Sequence, residues 1–99
     1  MSPPDLPTND GTRAKSLEIK NRLGLHARAA AQLVQTASRF DAEVTIVKDG
    51  QAVNGKSIIS LMMLAAAQGS FIEVRAVGPQ AAEALLAIEC LIDQKFNEE

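Results

Sequence analysis

The spacing of apolar residues changes repeatedly along this chain, and that alternation restricts the folds open to it. In "KSLEIKNRL", Leu17 and Ile19 lie on one side of an extended chain and polar residues on the other, which is typical of a half-buried strand. This strand is predicted to end near Arg22. Residues 27–40 are rich in helix formers, and their apolar residues recur three and four positions apart, as in a helix with one buried face. The residues on that face are Ala30, Leu33, Val34 and Ala37.

The rest of the chain continues this alternation. The segments "AEVTIVK" and "QAVN" flank the pair "DG", which strongly favours a β-hairpin, and "SFIEVRAV" is a further strand. "IISLMMLAAA" is predicted to be a short helix that Ser57 caps and that Gly69 follows. Residues 80–96 form the last predicted helix. Its apolar residues at helical spacing are Ala84, Leu85, Ile88, Leu91 and Ile92.

The resulting order, βαββαβα, predicts an α+β open-faced sandwich. In this fold one four-stranded antiparallel sheet is covered on one face by three helices. Residues 1–15 contain three of the four prolines of the chain among Ser, Asn, Asp, Thr and Gly, a composition that cannot supply a core. We therefore expect residues 1–15 to be a flexible N-terminal tail and residues 16–99 to form a single domain.

The composition argues against several classes of function. A net charge of −2 and only three aromatic residues give little basis for binding nucleic acid. No apolar run approaches the roughly 20 residues of a transmembrane helix, and the N-terminus lacks the apolar centre of a signal peptide, so we expect a cytoplasmic protein without membrane contact. The single histidine and the single cysteine, Cys90, show no metal-ligand spacing. We expect a monomer with neither a metal nor another cofactor.

The segment "GLHARAAAQLVQ" contains the only histidine of the chain, His26, at the predicted start of the first helix. The first turn of a helix has unpartnered N–H groups and a positive dipole end, so it favours anions. Arg28 is unfavourable there by about 0.3–1 kcal/mol unless an anion binds, and its forked donors suit phosphate oxygens. A neutral imidazole at this end is a competent nucleophile. Alternatively, His26 is a weak cap and Arg28 an ordinary surface residue, and this tripeptide alone favours that interpretation.

The second helix has more apolar residues than one buried face needs. Three of them are predicted to point into the core: Ile59, Met63 and Ala66. This leaves Ile58 and Met62, four residues apart, on another side, where they would form a small apolar docking patch near His26. Methionine adapts to more than one partner because its side chain repacks readily. Alternatively, all of these residues belong to the core, and Ser57 is a helix cap and nothing more.

"LGLHARAAAQL" and, further on, "GKSIISLMMLAAAQGS" together resemble the HPr family, the histidine-containing phosphocarrier proteins of the bacterial phosphotransferase system. The resemblance covers about residues 16–96, with the elements in the order deduced above. It implies that His26 is phosphorylated on Nδ1, that Arg28 contacts the phosphate, and that Ser57 is a serine that a regulatory kinase phosphorylates in some members. It also implies that phosphate comes from phosphoenolpyruvate through Enzyme I and passes to IIA-type proteins, in sugar uptake or regulation. Such a protein is a relay rather than a complete enzyme.

Two features depart from the family pattern. Ala29 stands where many members have proline, which removes a fixed φ but leaves the anion site intact. A tail of about fifteen residues also precedes the first strand. The two motifs are most similar to proteobacterial members, including those of the nitrogen-related branch, whose outputs are often regulatory.

Two other functions fit the same order of elements. Acylphosphatase-like small hydrolases also bind phosphate on backbone N–H groups and have an arginine after the first strand. Such an enzyme needs a residue that positions water, and neither Asn21 nor Asn54 is an evident choice. The other alternative is a non-catalytic interaction or regulatory domain without phosphate chemistry.

Overall fold

The computed structural model describes residues 6–7 and 12–98. Its strands are β1 (Leu6–Pro7), β2 (Arg13–Glu18), β3 (Glu43–Lys48), β4 (Gln51–Asn54) and β5 (Phe71–Val77). Its helices are α1 (Ala27–Ser38), α2 (Ile58–Met63) and α3 (Ala81–Asp93), and a short turn follows at Lys95–Asn97. From β2 onward, the order βαββαβα is the predicted one.

The strands form one antiparallel sheet in the order β1-β2-β5-β3-β4. Leu17 of β2 lies opposite Ile72 of β5, and Ile46 of β3 lies opposite Val74 of β5. The "DG" pair, in which both residues have positive φ, joins β3 to β4 as a hairpin. The sheet thus contains the four predicted strands and, at one edge, the two-residue strand β1.

The first long strand starts earlier than predicted. β2 begins at Arg13 rather than near residue 16, and residues 13–15 continue the ladder with β5 instead of belonging to a tail. Backbone pairing does not require alternating side chains, so the sequence pattern gave no sign of this extension. The larger part of the predicted tail, residues 1–5 and 8–11, lies outside the described residues.

The helices cover one face of the sheet, and the core lies between the two layers. The predicted inner faces of α1 and α3 are buried, except that Val34 is only partly so. The largest fully buried apolar side chains are Ile19, Leu33, Ile46, Leu61, Ile72, Val74, Leu85, Ile88, Ile92 and Phe96. Cys90 lies in α3 with an exposed side chain.

The rotation of α2 about its axis differs from the prediction. Leu61 is fully buried and Leu64 is buried, whereas Ile59 is 73% exposed and Met63 is 68% exposed. The prediction that Ile59 and Met63 point inward is therefore wrong, while Ala66, just beyond the helix, is buried. α2 has only six residues, nearly all apolar, so no polar face marks its solvent side.

The ends of α2 and α3 also differ from the prediction. Ala65, with a φ of 51°, is the left-handed residue beyond the end of α2, and Gly69 lies instead in the turn before β5. α3 ends at Asp93 rather than at residue 96, because the chain then enters a left-handed turn. In the part of the chain that the structure describes, none of the helices is long and apolar enough to cross a membrane.

Candidate functional site

His26 is the N-cap residue of α1. Its backbone is extended, and its carbonyl oxygen accepts the N–H of Ala30 at 2.8 Å. Its Nδ1 accepts the backbone N–H of Arg28 at 3.3 Å. Because a backbone N–H can only donate, Nδ1 presents its lone pair to the helix start, and the proton of a neutral ring lies on Nε2. The helix cap therefore orients the ring and favours the tautomer with the proton on Nε2.

The loop before His26 packs closely against the residues that follow α2. Gly24 has a φ of 65°, and a Cβ at this position would lie 2.4 Å from the carbonyl oxygen of Ala66. The same oxygen accepts the N–H of the buried Leu25 at 2.8 Å. Only glycine fits this left-handed position and close backbone approach. The contact places His26 beside the end of α2.

The other ring nitrogen of His26 contacts a residue near the end of the chain. Nε2 contacts Oε2 of Glu98, and Oε1 of Glu98 accepts a hydrogen bond from Nδ2 of Asn21 at 3.1 Å. The hydrogen bond from His26 holds the pKa of the Glu98 carboxyl below its usual range, although desolvation acts in the opposite direction. The hydrogen bond from Asn21 and the charge of Arg28 also lower the pKa of Glu98. A carboxylate is therefore part of the site.

Asn21 is the buried anchor of this contact. Its side chain is 1% exposed, and Nδ2 also donates to the carbonyl oxygen of Gly24 at 2.7 Å. Its Oδ1 is buried and has no hydrogen-bond partner among the described residues. Asn21 thus joins the loop before α1 to the end of the chain.

A left-handed turn brings Glu98 back to His26. Lys95, Phe96 and Asn97 have φ values of 56°, 54° and 61°. A left-handed non-glycine residue costs roughly 1–2 kcal/mol. Burial of Phe96, which is 1% exposed, offsets part of this cost by about 1.5–3 kcal/mol. Phe96 anchors the turn in the core, and the partly buried Glu98 follows two residues later.

His26 lies between two open clefts with different linings. The first, of about 460 Å³, is lined by Arg22, Leu23, His26, Arg28, Asn97 and Glu98. The second, of about 290 Å³, is lined by Leu23, Leu25, His26, Met62, Ala65, Ala66 and Ala67. Two arginines and one carboxylate line the first cleft, so it retains positive charge for a further anion. The second cleft is lined mainly by apolar side chains.

Residues 14–94 match the family described as "PTS HPr component phosphorylation site". The chain belongs to the HPr family. The phosphocarrier protein HPr of Neisseria meningitidis serogroup B is 52% identical over 84 residues, which cover 85% of this chain and 94% of the relative. The phosphocarrier protein NPr of Escherichia coli K12 is 44% identical over 89 residues, which cover 89% of this chain and 99% of the relative.

A solved structure supports the same assignment. The crystal structure of HPr-C-His from Thermoanaerobacter tengcongensis matches with a TM-score of 0.84 and 45% identity, over 87% of this chain and 97% of that one. The HPr-family fold is the open-faced sandwich described above. The chain therefore has the role that defines the family, that of a phosphocarrier in the phosphotransferase system.

The exposed apolar surface of this HPr-family protein is larger than predicted. Ile58 is 40% exposed and Met62 is 43% exposed, in keeping with their predicted outward direction. Ile59 and Met63 extend this surface along α2, and Leu23, 66% exposed, adds to it from the loop before His26. We call these five residues the apolar patch. Met62 and Leu23 also line the second cleft, so the apolar patch is continuous with that cleft beside His26.

Ser57 is the N-cap of α2, as predicted. Its Oγ accepts the backbone N–H of Ser60 at 3.3 Å and donates to Oγ of Ser60 at 2.9 Å. Both hydrogen bonds lie within the helix start itself. Ser57 therefore has a structural role in this HPr-family protein, whether or not it is modified.

The sequence interpretation did not include Glu98 in the site, and it considered Asn21 only as a residue to position water for hydrolysis. For Asn21 a signal was available, because asparagine in a turn-forming run such as "NRLG" often bonds to the backbone of its own turn. Glu98 has no such signal, since 72 residues separate it from His26. Only the path of the chain after α3 brings them together.

Proposed function

We propose that this HPr-family protein accepts a phosphoryl group on Nδ1 of His26 from phosphorylated Enzyme I, which obtains it from phosphoenolpyruvate. It then passes the group to IIA-type proteins in the cytoplasm, in sugar uptake or regulation. The observation that carries the proposal is the Nδ1 lone pair, turned towards a helix start beside Arg28. This arrangement suits a nucleophile whose product is an anion.

The transfer step requires no proton to move on Nδ1. The Nδ1 lone pair attacks phosphorus, and the N–P bond forms as the bond between phosphorus and the donor group breaks. The donor group keeps the electron pair of the broken bond, and Nε2 of His26 keeps its proton. The reverse sequence on an acceptor returns the imidazole to its starting state.

The helix start supplies donors for the transferred group. At 3.3 Å, the bond from the Arg28 N–H to Nδ1 is long, so releasing the lone pair costs little. The same N–H can then donate to a phosphoryl oxygen. The exposed Arg28 lines the first cleft, the one that also contains Arg22 and Glu98, and its guanidinium can bind two further phosphoryl oxygens. Arg28, unfavourable at a helix start by itself, thereby stabilises the phosphorylated state.

The apolar patch supports a role in docking. Ile58 begins α2, and Met62, near the end of that helix, lines the apolar cleft beside His26. A carrier must bind at least one donor and one acceptor in turn, and flexible methionine side chains suit contact with both. Enzyme I and the IIA-type proteins would each cover this patch while their reacting groups approach His26.

Ser57 is a candidate regulatory site next to this patch. Phosphorylation by a serine kinase would add about −1.5 to −2 charges at the α2 start, and a phosphorylase would remove them. A helix start tolerates the added anion, so we expect the fold to persist. The charge would repel an acidic donor surface and slow acceptance from Enzyme I.

The alternative functions have less support. Asn21 does lie near His26, but both of its Nδ2 hydrogen bonds are internal and its side chain is buried, so it is poorly placed to hold water for hydrolysis. Oδ1 of Asn54 accepts the N–H of Lys56 at 2.8 Å. Membership of a phosphocarrier family also disfavours both an acylphosphatase-like hydrolase and a domain without phosphate chemistry.

Intact-mass measurement after incubation with phosphoenolpyruvate and Enzyme I tests the proposal. The protein should gain one phosphoryl group that is labile in acid and stable in base, and a IIA-type protein should remove it. His26→Ala should abolish the gain, whereas Ser57→Ala, which alters the other helix cap, should retain it. Phosphorylation of His26→Ala to the wild-type level would refute the assignment of His26.

A further inference from the structure

We propose that Glu98 is a positioning residue for the transfer reaction, because its carboxylate holds the proton on Nε2 of His26 and neutralises the charge that the ring gains on phosphorylation. This inference rests on the function proposed above. It concerns a residue at the opposite end of the chain from His26, in a segment that follows the last helix.

The imidazole is held from both sides. The Arg28 N–H donates to Nδ1 at 3.3 Å, and Oε2 of Glu98 lies against Nε2. Both contacts favour the tautomer with the proton on Nε2 and the lone pair on Nδ1. Without Glu98, the Arg28 N–H alone would select the tautomer through a long hydrogen bond. The carboxylate therefore keeps Nδ1 available as the nucleophile.

The charge balance of the reaction gives Glu98 a second effect. When a neutral imidazole attacks through Nδ1, both ring nitrogens become substituted, one by phosphorus and one by hydrogen. The ring then carries one positive charge, while the phosphoryl group carries about two negative charges. Arg22 and Arg28 line the same cleft and would disfavour a cationic ring, so Glu98 supplies the opposing charge.

Reversible transfer also benefits from this contact. A ring that keeps its Nε2 proton leaves phosphorus as a neutral imidazole, which is a better leaving group than an imidazole anion. Glu98 accepts a hydrogen bond from that proton throughout the reaction. A carrier must release its phosphoryl group as readily as it accepts it, so the same carboxylate supports both directions.

The surroundings of Glu98 support a functional placement. Its side chain is only 14% exposed, and the buried Asn21 donates to its other carboxylate oxygen at 3.1 Å. Three successive left-handed residues precede it, with Phe96 buried in the core. Strained backbone that persists next to a reactive group is a common feature of functional sites. The chain thus accepts local strain to place this carboxylate against His26.

The ¹⁵N NMR shifts of His26 at neutral pH, compared with transfer rates from phosphorylated Enzyme I, test the proposal. In the wild type and in Glu98→Gln, whose amide oxygen can still accept, the proton should lie mainly on Nε2. In Glu98→Ala the two tautomers should mix. Both variants should accept phosphate more slowly, on the order of tenfold, because the charge is lost. Glu43→Gln, the same change at an exposed position at the start of β3, should match the wild type.

Two results would overturn the proposal. One is a wild-type ring with its proton mainly on Nδ1, and the other is transfer within twofold of wild type in a folded Glu98→Ala variant. The NMR measurement needs no phosphorylation. If the wild type accepted no phosphate but showed the Glu98-dependent tautomer, the proposed function would fail and the positioning of His26 by Glu98 would stand.

Discussion

α1 and α2 pack against each other, and their N-terminal ends are built differently. Neither helix has an acidic residue in its first turn. α2 begins with Ser57, whose Oγ bonds to the backbone and side chain of Ser60. α1 begins with His26, which bonds to its own helix through Nδ1 and to Glu98, from the far end of the chain, through Nε2.

Ser57 is thus a cap with local contacts only, whereas His26 is the cap that our proposal makes the site of phosphorylation. The hydrogen bonds of Ser57 are satisfied within one turn of helix, so its removal affects stability above all. The ring of His26 has two different partners. In the proposed reaction, the long hydrogen bond from the Arg28 N–H to Nδ1 breaks, and Nδ1 bonds to phosphorus instead. Arg28 lies in the first turn of α1, whereas the first turn of α2 contains no basic residue. The two helix starts therefore respond differently to substitution.

The largest effect is expected at the α1 start, in Arg28→Ala. The variant should fold normally, or slightly more stably, because a cation is removed from a positive helix end. Its rate of phosphoryl transfer should fall by a factor on the order of 100, the usual effect of losing one donor to a developing anion. Rapid-quench transfer assays and thermal melts measure the two quantities. Arg39→Ala, just past the end of α1, is the matched control, and equal transfer rates in Arg28→Ala and wild type would remove Arg28 from the mechanism.

The next largest effect is expected at the α2 start, in Ser57→Asp. Aspartate can still cap the helix, so the melting temperature should change little. Its charge lies beside the apolar patch and should slow acceptance from Enzyme I by about tenfold, equivalent to about 1.4 kcal/mol of lost interaction. Ser57→Asn caps the helix without charge and serves as the control. Acceptance by Ser57→Asp as fast as by Ser57→Asn would contradict a regulatory effect of charge at this position.

A smaller effect on stability is expected for Ser57→Ala. Loss of the cap should lower the free energy of unfolding by about 1 kcal/mol, while the transfer rate stays within twofold of wild type. Urea unfolding followed by circular dichroism gives the first value and the transfer assay the second. A large loss of transfer in this variant would show that the α2 start takes part in the chemistry, and the contrast between the two caps would not hold.

The smallest effect concerns pH. The pKa of Glu98 is lowered in the folded protein from an ordinary value of 4.5, so its carboxylate contributes stability above that pH and loses the contribution as pH falls through the lowered pKa. The difference in unfolding free energy between wild type and Glu98→Gln should be present at pH 6 and shrink towards about pH 3. Ser57→Ala should cost the same at both pH values, because neither Ser57 nor Ser60 titrates there. A Glu98→Gln difference that is unchanged at low pH would exclude an ionised Glu98 as its source.

The sequence predicted most of the fold because the relevant signals are local. Period-two and helical spacings gave the order of elements, and the inner faces of α1 and α3 followed from the same spacing. The position of His26 as the α1 N-cap was also predictable, since caps depend on residues within one turn. The rotation of α2 was not, because a six-residue apolar helix presents similar surfaces in several directions.

Within the site, placements of residues close in the sequence were predictable, and contacts between residues far apart in the sequence were not. His26 and Arg28 are two residues apart, so their placement at one helix start is a property of the sequence alone, and the resemblance of their motif to the HPr family indicated phosphate chemistry. The contacts of His26 with Glu98 and of Gly24 with Ala66 were decided only by the tertiary structure. Each joins segments whose separation depends on how the helices pack on the sheet and on how Phe96 anchors the last turn. Periodicity and capping act over a few residues, and long-range packing decided which carboxylate meets the histidine.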